Sequence, residues 1–388
     1  MPVNKYHILF LLLLTFGSCI EPFDPVIEEY QNVLVINGMI TDQPGIHYVE
    51  ISRSTPYNEP FYQPVGGCVV LVTDENGEMI PFLEREPGKY SADISGSFLA
   101  VGKAYRLQVF TPNGREYCSE YDTLLACPPI DSIYYEVENR ETSDPEIFIP
   151  GIQFYIDMTG AASDSRNFVW KLEETWEYWA ALHSQYIRRK GEEVTDFHSR
   201  DDLFKCWKTC PVMDIYTKTT RNLSVNALKR NSLNFVSNET DRLKVTYSLL
   251  VKQQALTRSS YVYWEKMKAQ SGETGGLYEN QPSSAIGNIC NINDPDEEVL
   301  GIFYATQQQT KRIMVVNWRG ENDLFEFKIP YLTCEWENAT GTFQSGDDFP
   351  YYLKSAHWTG HGPPYLTADQ ICFDCRIRGG VNVKPDYW

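Results

Sequence analysis

The chain has 388 residues and a net charge of −18 at neutral pH, with 42% hydrophobic and 14% aromatic residues. Such content supports folded cores and excludes a disordered chain, and the acidity excludes nucleic acid and anionic lipid surfaces as electrostatic partners. The charge is uneven: residues 20–160 hold 23 acids against 7 bases, while residues 161–388 hold 29 against 26, so the N-terminal part is the strongly solvated one.

The chain opens with Lys5, an apolar run Ile8–Phe16 interrupted only by Thr15, and then Gly17-Ser18-Cys19. A bilayer-spanning helix takes about 20 apolar residues, so this run is too short to span and has the length of a secretory signal core. Small residues before a cysteine form a lipobox, in which the thiol takes a diacylglycerol and becomes the new N-terminus. Residues 1–18 are therefore expected to be a lipoprotein signal peptide and Cys19 the lipidation site. The other reading is an ordinary signal peptide followed by an unrelated cysteine. Residues 19–32 follow with two prolines and four acids, the composition of an extended tether.

Short strands then recur at regular spacing: 33–40, 47–53, 68–73, 78–83, 89–94, 105–110 and 116–121. Asn76-Gly77 and Asn113-Gly114 mark hairpin turns, because both residue types tolerate positive φ. Seven such strands predict a β-sandwich of immunoglobulin or transthyretin type over 33–126. Cys127-Pro128-Pro129 breaks the pattern and starts a larger β-rich domain, 127–388. Its predicted strands are 132–138, 153–158, 167–174, 242–251, 299–305 and 312–318. One helix is predicted over 259–270, with a serine cap and Gly272 past its end. Residues 180–232 hold ten Lys or Arg against six acids, and they read as an insertion with little regular core. The tail, 331–388, reads as loop-rich. The predicted fold is mainly β throughout.

Export favours disulfides. Without Cys19 nine cysteines remain, an odd number, and most are expected to be oxidised. The candidates are Cys206 with Cys210, anchoring the insertion, and Cys372 with Cys375, tying down the tail. Cys372-Phe-Asp-Cys375 also has thioredoxin spacing, but no helix follows it to lower a thiol pKa. All four together would make a tetrathiolate zinc site. His357 and His361 stand four apart as in a zinc helix, yet the glycines and prolines beside them forbid that helix. Asn291 to Glu298 offers hard oxygens for calcium, without the glycine of a calcium loop, and reads more simply as a turn. Glu173 to Trp179 sets aromatics among carboxylates, a pattern that suits sugar or peptide stacking and a packed strand equally. No nucleophile elbow, phosphate loop or dinucleotide fingerprint occurs, so no catalytic residue, metal or cofactor is assigned.

Several blocks together resemble the lipoprotein family called domain of unknown function 4249 of the Bacteroidota. They are Cys19 followed by Glu21-Pro22, Val35-Ile36-Asn37-Gly38-Met39-Ile40-Thr41 and Tyr263-Trp264. Gly275 to Pro282, Gly287-Asn288-Ile289 and Val299 to Phe303 follow, and the ending runs from Cys372 through Gly379-Gly380 to Trp388. The resemblance implies no activity and no catalytic residues. It implies an outer-membrane lipoprotein, held in the bilayer through acylated Cys19 and exposed at the cell surface, encoded beside TonB-dependent receptors. The expected function is therefore an accessory or ligand-binding subunit of a TonB-dependent outer-membrane barrel, with the basic stretch 180–232 as its contact. The alternatives are a surface hydrolase using His357, His361, Asp347 and Asp348, or a structural or adhesive subunit.

Overall fold

The computed structural model describes residues 32–56, 60–197, 203–272, 286–317, 334–339, 350–355 and 365–388. Cys19, His357, His361, Asp347 and Asp348 lie outside these residues. The chain forms two β-sandwiches and a further small sheet.

The first sandwich is built from β1 (Leu34–Thr41), β2 (Gly45–Arg53), β3 (Gln63–Pro64), β4 (Val69–Asp74), β5 (Met79–Glu86), β6 (Lys89–Ile94), β7 (Ala104–Phe110), β8 (Glu116–Ser119) and β9 (Asp122–Thr123). Strict alternation selects its inner face. Val49 and Ile51 of β2 point into a core with Leu34, Ile36, Val72, Leu107, Val109 and Phe303, while Tyr48 and Glu50 point out. Both predicted hairpin turns carry their glycine at positive φ, Gly77 at 87° and Gly114 at 82°.

The second sandwich packs the three-stranded sheet β10 (Ile130–Glu141), β11 (Phe148–Thr159) and β16 (Ala227–Ser237) on a four-stranded sheet. That sheet contains β15 (Lys205–Thr219), β12 (Asn167–Trp179), β17 (Thr246–Ala255) and β20 (Gln308–Val316), in that order. Between them lie Phe154, Ile156, Trp170, Leu172, Val236, Leu249 and Val251. The stretch 180–232, expected to lack a regular core, instead supplies β13 (Tyr186–Arg188), β14 (Thr195–Asp196), β15 and the start of β16. Six of its basic residues, Arg188, Lys205, Lys208, Lys218, Lys229 and Arg230, lie on paired strands and none of them is buried, so much of the charge excess sits on partly or fully exposed positions of a sheet.

Helix α1 (Arg258–Gly272) starts at Thr257, two residues before the predicted serine cap. Thr257 Oγ1 accepts from the Ser260 N–H, and its carbonyl from the Tyr261 N–H. The helix leads to β18 (Ile289–Asn291) and β19 (Val299–Thr306), which return to the first sandwich. There β18 pairs with β8, and β19 pairs in parallel with β1. Parallel pairing needs a long connection, and every strand of the second sandwich except β20 lies between the two. Only Gln307 separates β19 from β20, so the chain passes directly back into the second sandwich. The junction is hydrogen-bonded: Gln307 Nε2 donates to Asp42, Gln307 Oε1 accepts from the Cys127 N–H, and Asp42 also accepts from the Gln308 N–H. Close approach at the return is secured by two glycines. A Cβ on Gly287 would sit 1.8 Å from the Gly301 carbonyl oxygen, and one on Gly301, at φ 93°, 2.1 Å from that of Ile36. Between them Asn288 imitates a strand, donating to the Phe303 carbonyl at 2.7 Å and accepting from its N–H at 3.1 Å.

The tail forms β21 (Glu337–Asn338), β22 (Tyr351–Ser355) and β23 (Tyr365–Thr367), which join β13 and β14 in a small sheet.

Candidate functional site

The sandwiches meet along a groove formed by two adjoining cavities of about 450 and 400 Å3, sizes that suit a small ligand. Met39, Tyr48 and Lys171 line both. One half is aromatic. α1 contributes Tyr263, Trp264 and Met267, and β19 contributes Tyr304, against Tyr48 and Glu50 of β2. Tyr48 is 63% exposed, so its ring is available to a ligand. The Lys171 ammonium stands 4.9 Å from the Trp264 ring centre and 5.6 Å from that of Tyr304, within cation–π range.

The other half is polar. Alternation along β12 turns Trp170 and Leu172 to the core side and Lys171 and Glu173 to the groove. Glu173 pairs with Lys252 at 3.1 Å and Arg312 at 3.8 Å. A chain of hydrogen bonds orders the floor: the Tyr304 hydroxyl donates to Gln254 Oε1, and Gln254 Nε2 donates to Gln308 Oε1 at 2.8 Å. At the β1–β2 turn lies buried His47. The Thr41 N–H donates to its Nδ1 at 3.4 Å, and its Nε2 lies 3.0 Å from the Gln43 carbonyl, so Nε2 carries the hydrogen. Burial pulls this imidazole below its ordinary pKa, in keeping with a neutral ring. Aromatic faces, amides and charges of both signs give the groove the means to hold a polar ligand with a flat apolar face.

The candidate cysteines are placed differently from their expected pairing. Cys206 is bonded to Cys375 and Cys372 to Cys334, while Cys210 carries a free thiol. Cys372 and Cys375 are three residues apart but serve separate clusters. Cys372 packs with Ile187, Tyr352 and Phe373, and Cys375 with Tyr178 and Ala180. Neither a thioredoxin-like dithiol nor a four-thiolate centre is formed. The expectation that most thiols are oxidised is also corrected: Cys68, Cys118, Cys127, Cys210 and Cys290 are free, and Cys68, Cys118 and Cys127 are buried. Burial withdraws these three thiols from solvent.

The Glu173–Trp179 run divides by strand parity. Glu174 turns inward, where the Tyr247 hydroxyl donates to it at 2.8 Å and Arg242 contributes an ion pair at 3.0 Å. Thr175 and Glu177 turn outward and hold the chain end, Tyr387 and Trp388, by hydrogen bonds. Arg312 lies 3.5 Å above the Tyr387 ring. The run therefore docks the protein's own C-terminus. In the Asn291–Glu298 loop, Glu297 pairs with Arg115 at 2.7 Å and accepts from the Tyr117 hydroxyl at 2.9 Å. Its oxygens tie the loop to the sandwich.

The groove residues named here come from seven separate elements, β1, β2, β12, β17, α1, β19 and β20, so no sequence motif brings them together. One local signal existed: Tyr48 and Lys171 interrupt apolar strands on the side that alternation assigns to solvent.

The family described as Domain of unknown function (DUF4249) matches residues 20–312, and the chain belongs to it. No curated protein matches. Among solved structures, trypsin-activated alpha-2-macroglobulin from Escherichia coli is similar over 59% of this chain and 15% of its own, at 10% identity and TM-score 0.18. The BSP domain of a biofilm-associated protein is similar over 77% of this chain and 63% of its own, at 7% identity and TM-score 0.14. The chain thus spans less than two thirds of either structure, and at these scores neither likeness carries an argument.

Proposed function

We propose that this member of the DUF4249 family is a lipid-anchored outer-membrane protein that captures a ligand in the groove between its sandwiches and docks on a TonB-dependent barrel. The observation that carries the reading is the groove itself: exposed Tyr48 and the Trp264–Tyr304 pair face ordered amides and charges in one cleft. Among the described residues, the side chains lining it form no nucleophile–base pair, which favours binding over turnover. The N-terminal segment ending at Cys19 supports the anchor. Residues 19–32 supply a tether, and confinement to a membrane plane raises the effective concentration of a barrel partner even for a modest interface. The proposed contact is β15. It lies at an edge of the four-stranded sheet and carries Met213 at 83% exposure. Because β15 is structural, the contact is probed by substitution and not by deletion.

The test is to purify the tagged full-length chain from detergent-solubilised membranes and to identify co-purifying proteins, acyl groups and small molecules by mass spectrometry. The reading expects an acylated N-terminus at Cys19 and a transporter barrel. It also expects a retained small molecule that is lost from Tyr48→Ala/Lys171→Ala while the barrel stays bound. Met213→Asp should weaken barrel recovery alone. Absence of a barrel from the wild-type preparation would overturn the partnership, and undiminished retention by the groove variant would overturn the site.

A further inference from the structure

Cys118 and Cys290 are the one pair of free cysteines placed opposite each other in a sheet among the described residues. In the β8–β18 register Cys290 stands directly across from Cys118. The flanking pairs two residues away are closed by main-chain hydrogen bonds, Glu120 N–H to Asn288 O and Ile292 N–H to Glu116 O, each 2.9 Å. The cysteines therefore occupy a hydrogen-bonded position, where opposed Cα atoms lie about 5.5 Å apart and both Cβ atoms leave the same face. Disulfides span Cα separations of about 4.4–6.8 Å, so the Cα spacing admits a bridge, and a small adjustment at the end of this short ladder brings the Cβ atoms from about 5.5 Å to the roughly 4 Å that a disulfide takes. The Cys290 thiol lies 3.7 Å from the Cys118 carbonyl oxygen, across the same ladder. Accessibility divides the roles, with Cys290 exposed and Cys118 buried.

We propose that Cys118 and Cys290 form a redox site that closes to a third, cross-strand disulfide by exchange with a small-molecule or protein disulfide. The Cys290 thiolate attacks the donor disulfide, forming a mixed disulfide and releasing the first donor thiolate. Cys118 then loses its proton to solvent and attacks Cys290 Sγ, forming the new S–S bond and releasing the second donor thiolate. Two thiols are oxidised and one donor disulfide is reduced to two thiols. Burial raises the pKa of Cys118 and so disfavours its thiolate, which leaves exposed Cys290 as the first nucleophile. The bond would fasten the short strand β18, and with it the Gly287–Asn288 return, to the first sandwich. It would thereby fix one wall of the cavity lined by Glu120, Arg258, Tyr263, Ile286 and Asn288.

The test uses the full chain with its two cystines intact. It is treated with oxidised glutathione, unfolded in the presence of an alkylating agent, and peptide-mapped without reduction. The expected result is a Cys118–Cys290 crosslinked peptide and two fewer alkylated thiols, with Cys68, Cys127 and Cys210 still alkylated. Cys118→Ser should trap glutathione on Cys290, and Cys290→Ser should leave Cys118 as a thiol. A stable glutathione adduct on wild-type Cys290, or unchanged alkylation of both cysteines, would overturn the proposal. The wild-type map decides the matter even if a variant fails to fold.

Discussion

Gly301→Ala tests the close approach on which the return of β19 depends. Gly301 sits at φ 93° and lies opposite Ile36 in the β1–β19 ladder. A left-handed conformation costs a residue with a Cβ about 1–2 kcal/mol. The added Cβ would also lie 2.1 Å from the Ile36 carbonyl oxygen and 2.9 Å from Asn37 Oδ1, and neither the backbone atom nor the ladder around it can yield cheaply. Ordinary contact begins near 3.4 Å, so the strands must part by over an ångström. Loss of about two ladder hydrogen bonds, at about 1 kcal/mol each, brings the total to about 3–4 kcal/mol. Gly102→Ala is the control, because Gly102 has nearly the same φ, 91°, and open space where its Cβ would stand. The unfolded-state effect of Gly→Ala is common to both and cancels. The expected difference is about 2 kcal/mol, or about 0.7 M in urea midpoint for a slope of about 3 kcal/mol per molar. The assay is urea unfolding of both variants followed by tryptophan fluorescence. Equal midpoints would show that φ alone governs the position and would refute the packing argument.

Removing the Cys206–Cys375 bond, which closes a separation of 169 residues, should cost about 5 kcal/mol by loop closure. Removing Cys334–Cys372, with a separation of 38, should cost about 4. Hydrogen exchange after Cys375→Ser should show loss of protection concentrated around Tyr178, Cys206 and the tail, and uniform loss would count against this placement. Burial pushes the Asp122 carboxyl up to about 6, although Thr257, Ser260 and the Ala305 N–H all donate to it. The folded state therefore holds this proton more tightly than the unfolded state does. The stabilisation is present below about pH 4 and is lost as pH rises through 6, about 3 kcal/mol in all. Asp122→Asn should flatten the pH dependence of the urea midpoint between pH 4 and 7, and an unchanged slope would exclude Asp122 as its source. Arg242→Ala strands the buried Glu174 carboxylate with the Tyr247 hydroxyl and should cost about 3–5 kcal/mol. Adding Glu174→Gln should recover much of that loss, and a single variant with a wild-type midpoint would mean the pair is not buried in solution.

The sequence by itself determined the features that depend on neighbours in the chain. Alternation of Val49 and Ile51 with Tyr48 and Glu50 marks β2 and its inner face, because side-chain direction in a strand has a period of two. Asn-Gly steps mark two hairpins, because few other residues accept positive φ. A polar start and an aromatic face mark α1 to within two residues. Strand content was legible least in 180–232, where basic residues on unburied positions of β13, β15 and β16 concealed the apolar positions between them. The tertiary structure alone decided which distant elements meet. No local pattern pairs β1 with β19, joins Cys206 of the edge strand β15 to Cys375 of the tail, or sends Cys372 and Cys375 to different clusters. Nothing in the order of residues gathers Tyr48, Lys171, Trp264, Gln254 and Tyr304 around one groove. Periodicity states which face of an element is buried but not against what. The choice of neighbour is made by burial, by the fit of side chains at close contact, and by the few places, such as Gly287 and Gly301, where the absence of a Cβ lets two backbones touch.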